Sequence, residues 1–192
     1  MITDTSDIRQ LLPTDLDPSL VALIESAPFV AHGKLGHIGL DTYIRGLIKL
    51  KAHGASWAPL VAYLRQVPQV VEILDASVIQ PLVEAAMRVS ERTGAAPLDQ
   101  FFATSTLAAQ KLGDTLSFLE YLRLVSEASA VSPKVLPLFF DHLPTLLDGL
   151  TISGLRRWVQ VGLRTHSRDA DAQKKYFSLD SKDAIAMLKL GG

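Results

Sequence analysis

Apolar residues recur at helical spacing along almost the whole chain of 192 residues, and this periodicity constrains the fold more than any other feature. Glycine, proline, serine and aspartate interrupt the pattern at intervals, as they do where helices begin and end. No segment alternates apolar and polar residues in the way that a half-buried strand does. The sequence therefore predicts an all-α fold of roughly nine to eleven helices joined by short connections.

The individual interruptions predict helix boundaries. Residues 32–39 (HGKLGHIG) are rich in glycine and predict a loop, after which Asp41 would begin a helix. Pro68 predicts a break, because proline lacks the N–H that a helix interior needs. Residues 1–17 are predicted to be a flexible lead and residues 18–192 a single helical domain. Later helix starts are predicted at Ser77, Asp114, Thr151, Asp169, and Asp180 or Ser181.

A weak internal repeat bears on how the helices are arranged. Three segments that begin at Leu82, Leu119 and Leu155 share a loose apolar pattern, and their spacing is that of a two-helix repeat. Ordinary helices and loops of similar length give the same period by chance. Two architectures stay open at this point, an irregular multi-helix bundle and a short helical-repeat array, and the bundle is favoured.

Composition excludes several classes of function. The chain has 19 basic and 20 acidic residues, a balance that argues against a nucleic-acid partner, and it has no cysteine for disulfides, thiolate chemistry or metal binding. Its first residues lack the apolar core of a signal peptide, and no stretch predicts a membrane span, so a cytoplasmic protein is expected. The charges are nevertheless uneven. Residues 1–26 have five acidic and one basic side chain, and residues 155–192 have eight basic and four acidic ones.

The glycine-rich segment offers two candidate ligand sites. His32 and His37, with Asp41, could supply three metal ligands. Two histidines specify little by themselves, so a turn that leads into the next helix is the favoured interpretation. Residues 33–36 (GKLG) are similar to part of a phosphate-binding loop but lack the spacing of a P-loop. We therefore expect no metal and no cofactor in this chain.

Asp141 and His142 are the candidates for an enzymatic site. They are adjacent in the most apolar segment and could belong to a small all-helical enzyme or ligand-binding protein. An activated nucleophile needs a base and an orienting acid in three dimensions, which one dipeptide does not establish. Two polar positions on the exposed strip of a core helix are therefore favoured, and the chain is predicted not to be an enzyme.

The segment after Thr151 predicts a one-sided helix with a basic ridge. Leu155, Trp158, Val159, Gly162 and His166 would share one face, and Arg157, Arg164 and Arg168 would lie opposite. The ridge could bind an acidic partner or be a solvated face. The aromatic residues around it could line a binding pocket, although core packing is favoured; they are Phe139, Phe140, Trp158, Tyr176 and Phe177.

Residues from 154 onward carry a motif of the form W-x-x-x-G, a break, then A-x-x-x-Y-F and a serine-capped helix. The matching positions are Trp158, Gly162, Ala172, Tyr176 and Phe177. Gly162 would leave room for another helix to approach the indole, and the Tyr-Phe pair would close against it. This stretch resembles the NorD/CbbO family.

The resemblance implies a helical adaptor that works with a MoxR-type AAA+ ATPase hexamer. CbbO-like members resemble a rubisco activase subunit that bridges the ATPase and inhibited rubisco, whereas NorD-like members are linked to maturation of nitric oxide reductase. The CbbO-like interpretation is favoured here. The family's C-terminal von Willebrand factor A domain, with its D-x-S-x-S metal site, has no counterpart in this sequence. Arg157, Arg164 and Arg168 are the predicted contacts with the ATPase.

Overall fold

The computed structural model describes residues 12, 14–26, 28–165 and 169–190. Over these residues the chain is all-α, with ten α-helices and no strand, which confirms the predicted fold class. Two 3₁₀ turns, Ala76–Val78 and Pro133–Val135, lead into helices. The helices are α1 (Pro18–Ser26), α2 (Pro28–Ala52), α3 (Trp57–Ile73), α4 (Ile79–Thr93), α5 (Ala95–Leu112), α6 (Thr115–Val131), α7 (Leu136–Gly149), α8 (Ile152–Thr165), α9 (Ala170–Phe177) and α10 (Ser181–Leu190).

The helices stack in two layers, because most of the packing among α1 to α8 joins a helix to the next but one in the chain. Helices α1, α3, α5 and α7 follow one another in the first layer, and α2, α4, α6 and α8 follow one another in the second. The short helices α9 and α10 pack against both α7 and α8 and form the C-terminal end of the stack. This is the arrangement of a helical-repeat array, one of the two architectures that the sequence left open.

Hydrogen bonds also join successive repeats. Side chains of one repeat bond to residues 40 or 41 positions away in the next. Examples are Thr106 Oγ1 to Gln66 Oε1 at 2.6 Å and Ser129 Oγ to the Arg88 carbonyl at 2.9 Å. The weak sequence repeat at Leu82, Leu119 and Leu155 falls on α4, α6 and α8, which are successive helices of the second layer.

One continuous apolar core runs between the layers, from Leu16 to Ala184. Leu16 belongs to the predicted flexible lead, but it is only 6% exposed, and residues 1–11 of that lead lie outside the described part of the chain. Among the described helices, none is both long and apolar enough to cross a lipid bilayer.

The predicted glycine-rich loop at residues 32–39 is wrong. Residues on both sides of Gly36 are helical, and this one residue, at φ 59° and ψ −173°, divides α2 into two helical segments. Glycine adopts that positive φ without steric cost, so a single residue absorbs the kink and the helix resumes at once. Asp41 therefore lies inside α2 and not at its start, and its carboxylate accepts a hydrogen bond from Arg45 Nε at 2.6 Å.

The predicted break at Pro68 is also wrong, since α3 continues through it. Proline at this position leaves the carbonyl of Leu64 without its helical donor. Tyr43 of α2 replaces that donor, with its hydroxyl 2.8 Å from the Leu64 oxygen. Tyr63 in turn donates to the Tyr43 carbonyl at 2.7 Å, and the two rings stack with centroids 5.2 Å apart. Burial raises the pKa of both hydroxyls well above the usual range, so they remain donors.

Aspartates begin three of the later helices. Asp114, Asp169 and Asp180 accept hydrogen bonds from backbone N–H groups of the following turn, as predicted. The predicted cap at Ser77 is wrong, because Asp75 accepts from the Ser77 N–H at 2.7 Å and also from the Ser77 hydroxyl. Asp75 accepts a further bond from Thr115 Oγ1 at 2.8 Å, and this bond ties the start of α6 to the turn before α4.

Asp75→Ala is expected to lower the free energy of unfolding by about 1 kcal/mol, because a helix start and the Thr115 hydroxyl lose their shared acceptor. Hydrogen bonds from the Ser77 and Thr115 side chains hold the pKa of Asp75 below its ordinary value of 3.8. A carboxyl group of this kind stabilises the fold above its unfolded pKa, and that contribution is lost as the pH falls through the lower folded pKa.

Urea denaturation of the wild type and of Asp75→Ala should thus give a constant difference above about pH 5 that shrinks below about pH 4. Asp99→Ala is the matched control, since Asp99 is an exposed carboxylate inside α5. A difference that is the same at acidic and neutral pH would contradict the role given to the ionised carboxylate.

Candidate partner-binding surface

Helix α8 has the one-sided character that the sequence predicts. Leu155, Trp158 and Val159 are fully buried and Leu163 is nearly so. These positions lie three and four residues apart, so they form one stripe that faces the core. The opposite side of the helix is left for solvent or for a partner.

Four aromatic residues hold α8 in place and are called here the tryptophan cluster: Phe139, Trp158, Tyr176 and Phe177. The indole ring lies 5.3 Å from the Tyr176 ring and 5.0 Å from the Phe177 ring, measured between centroids, and 6.4 Å from that of Phe139. All four side chains are buried, as is Phe140 beside them. The core-packing interpretation of these aromatic residues is therefore confirmed.

Gly162 makes the close approach of α9 possible. A Cβ atom at this position would lie 2.6 Å from Tyr176 Cε1 and 2.8 Å from Phe177 Cε2, well inside van der Waals contact. The Tyr176 hydroxyl donates to the Trp158 carbonyl at 2.9 Å, and burial raises the pKa of Tyr176 to about 12. The predicted relation between the W-x-x-x-G step and the Tyr-Phe pair is confirmed.

The outward side of α8 carries the candidate binding residues. Arg157 and Arg164 are exposed there, as predicted, whereas Arg168 lies outside the described residues. Val161 stands between them at helical spacing and is 36% exposed. We call Arg157, Val161 and Arg164 the basic face of α8. The neighbouring Arg156 differs in that it pairs with Glu120 of α6, Nη1 to Oε1 at 2.9 Å.

Sequence reasoning missed Val161 and a second apolar surface beside the basic face. Ala172, Lys175, Tyr176, Leu179 and Met187 line an open cavity of about 230 Å³ at the C-terminal end of the array. Met187 is 46% exposed there. Helical periodicity in the sequence predicts a buried stripe. It does not show which apolar residues stay exposed to solvent when a helix lies at the end of a stack.

The other candidate sites are not assembled in the part of the chain that the structure describes. The side chains of His32, His37 and His166 lie outside it, and Asp41 is hydrogen-bonded to Arg45. No group of three or more histidine, aspartate and glutamate side chains suited to a metal ion occurs among the described residues. The GKLG segment is part of a kinked helix rather than the loop that a phosphate cradle needs.

Asp141 and His142 lie on α7. The Asp141 carboxylate is exposed and accepts a hydrogen bond from Gln100 Nε2 of α5 at 2.9 Å. This bond spans 41 residues and belongs to the series that joins successive repeats. The geometry therefore favours the same interpretation of Asp141 and His142 as the sequence does: two polar positions on the exposed side of a core helix.

Comparisons with protein-family models, with curated proteins and with solved structures found no match to this chain. Function must therefore be inferred from the geometry of the basic face and the tryptophan cluster, and from the sequence motif that includes residues of α8 and α9.

Proposed function

We propose that this chain is a non-catalytic adaptor that docks onto a MoxR-type AAA+ ATPase hexamer and directs it to a target enzyme. Inhibited rubisco is the favoured target, and nitric oxide reductase is the alternative. The proposal rests on the NorD/CbbO-like motif, three of whose residues, Trp158, Tyr176 and Phe177, belong to the tryptophan cluster. ATP hydrolysis would belong to the partner.

The observation that carries the proposal is the basic face of α8, supported from behind by the tryptophan cluster. A helix that is already fixed loses little conformational entropy when a partner binds, so more of the contact energy appears as affinity. Arginines around an apolar side chain suit the polar rim and apolar centre of a protein interface.

Arg157→Glu/Arg164→Glu is expected to weaken binding to the ATPase hexamer by about tenfold or more, since each change replaces an attraction by a repulsion. Binding to the purified hexamer is measured by biolayer interferometry in the presence of a slowly hydrolysed ATP analogue. Circular dichroism at increasing temperature shows whether the variant keeps the wild-type fold.

Lys49→Glu/Arg65→Glu is the matched control, because it reverses two exposed cations on α2 and α3, far from α8 in the array, and should leave hexamer binding within about twofold of the wild type. Unchanged binding of the α8 variant, or no binding of the wild type, would contradict the proposal. Parallel measurements with ATPases from rubisco-linked and nitric-oxide-reductase-linked systems decide between the two targets, since the matching hexamer should bind more tightly.

A further inference from the structure

Exposed cations recur once per repeat along one side of the array, and we call them the cationic edge: Lys51, Arg92, Lys134 and Lys174. All four are exposed, and consecutive members lie 40 to 42 residues apart in the chain. Lys51 and Arg92 lie in the last turns of α2 and α4, Lys134 follows the end of α6, and Lys174 lies in α9, which follows α8. Each cation therefore lies at or after the end of one helix of the second layer.

Contacts between these repeats place the four residues along one continuous edge. His53 Nε2 and Glu91 Oε1 lie 3.9 Å apart, which brings the end of α2 next to the end of α4. The turn Pro133–Val135 packs against both α4 and α9. Ser132 Oγ then donates to Gln173 Oε1 at 2.6 Å and ties that turn to the helix that carries Lys174.

The two edges of the array use their charges differently. On the opposite edge, Asp75 and Asp114 cap helices, and Asp148 pairs with Lys111. On the cationic edge, none of the four cations forms an ion pair with another described residue, and the carboxylate of Glu91 is close to His53. The carboxylates are engaged within the fold, whereas the cations remain available.

Helix polarity accounts for part of this arrangement. Lys51, Arg92 and Lys174 lie in the last turns of α2, α4 and α9, where a cation interacts favourably with the helix dipole. Each such interaction stabilises the fold modestly, and it does not require that the cations line up across repeats or stay unpaired. Lys134 lies in a 3₁₀ turn and has no such role at a long helix.

We propose that the cationic edge binds an extended, acidic peptide segment of a partner protein. Neighbouring helices are about 8–10 Å apart, and an extended chain in the polyproline II conformation advances about 3.1 Å per residue with three residues per turn. A segment in this conformation laid along the edge would thus present a carboxylate to each cation at about every third position, with all the carboxylates on one side. The formal net charge of −1 gives no general attraction for nucleic acid, which favours a peptide as the occupant. This proposal is independent of the ATPase partner.

The test uses a fluorescein-labelled peptide of about twelve residues, with glutamate at every third position and glycine or serine between. Fluorescence polarisation should show saturable binding that weakens as salt increases from about 50 to 300 mM, because exposed charges are screened. Arg92→Glu/Lys134→Glu should weaken binding at least about tenfold. Arg65→Glu/Lys182→Glu reverses two exposed cations away from the edge and should change it less than about twofold.

Two further ligands are tested in the same way: a peptide with glutamine in place of glutamate, and a single-stranded oligonucleotide. Sedimentation velocity of the chain alone measures self-association. No binding of the acidic peptide, equal binding of the glutamine peptide, or an equal loss in both variants would overturn the proposal. Tighter binding of the oligonucleotide would assign the edge to nucleic acid, and salt-sensitive self-association abolished by the edge variant would assign it to a second copy. Both results would also overturn it. Arg92→Glu/Lys134→Glu should still bind the ATPase hexamer, so a failure of peptide binding can be told apart from a failure of the proposed function.

Discussion

Trp158→Ala is expected to lower the free energy of unfolding by about 3–5 kcal/mol, the largest effect of any single change considered for this chain. The indole is fully buried and packs against three aromatic rings from α7 and α9. Its removal leaves a cavity at the point where α9 is held against α8. Because each repeat contacts chiefly its neighbours, the loss should be felt first at the C-terminal end of the array.

Urea denaturation followed by far-ultraviolet circular dichroism measures the change, and hydrogen exchange locates it. Protection should fall in α8, α9 and α10 before it falls in α2 to α4. Trp57→Ala is the matched control, since Trp57 is 48% exposed at the start of α3 and should cost less than about 1 kcal/mol. Similar losses for the two tryptophans would contradict the structure of the cluster.

Trp158→Phe provides a milder second variant in case the alanine variant does not fold. It keeps an apolar ring and removes the indole N–H, which is buried without a hydrogen-bond partner among the described residues. The cost should be well below that of alanine, because the lost contacts are partly offset by the removal of an unsatisfied polar group.

Tyr43→Phe is expected to lower the free energy of unfolding by about 1–3 kcal/mol, even though it removes only one oxygen atom. The Tyr43 hydroxyl is the donor to the Leu64 carbonyl, which Pro68 deprives of its helical partner. Without it, a carbonyl between α2 and α3 is buried and unpaired, and the loss of such a partner costs more than an ordinary surface hydrogen bond.

A double-mutant cycle with Pro68→Ala tests this explanation directly. Alanine at position 68 restores the backbone N–H that can bond to the Leu64 carbonyl, so Tyr43→Phe should cost less than half as much in that background. The control is Tyr176→Phe in the same two backgrounds, because Tyr176 donates to a carbonyl in a different repeat. Additive effects of Tyr43→Phe and Pro68→Ala would contradict the compensation.

Several features of the fold could be predicted from local sequence alone. Aspartates at positions 114, 169 and 180 begin helices because a short carboxylate can bond to the free N–H groups of a first turn. Gly94 and Gly113 follow the ends of α4 and α5 with positive φ. The buried face of α8 follows from apolar spacing. Each of these features depends on interactions between residues that are only a few positions apart.

The errors occurred where a distant residue compensates for a local defect. Pro68 predicts a helix break when only its neighbours are considered. In the folded chain Tyr43, 21 residues before Leu64, supplies the missing hydrogen bond. The segment around Gly36 reads as a loop until buried residues on both sides, Leu35 and Leu40, hold α2 against the core. Ser77 reads as a cap, but Asp75 also receives a bond from Thr115 in the next repeat.

The candidate surfaces divide in the same way. Arg157 and Arg164 could be assigned to the outer side of α8 from their spacing to Trp158, because a helix fixes the direction of its own side chains. The cationic edge could not be found by this means, since Lys51 and Lys174 lie on the same edge only after the repeats have stacked.

Local sequence was enough to predict the all-α class, most helix starts and ends, and the buried side of α8, since these depend on interactions between residues a few positions apart. The two-layered repeat array, the passage of α3 through Pro68 and the alignment of the four cations became known only from the folded chain. Hydrogen bonds and packing between repeats satisfy groups that each helix leaves unsatisfied by itself, and these contacts join residues that are far apart in the sequence.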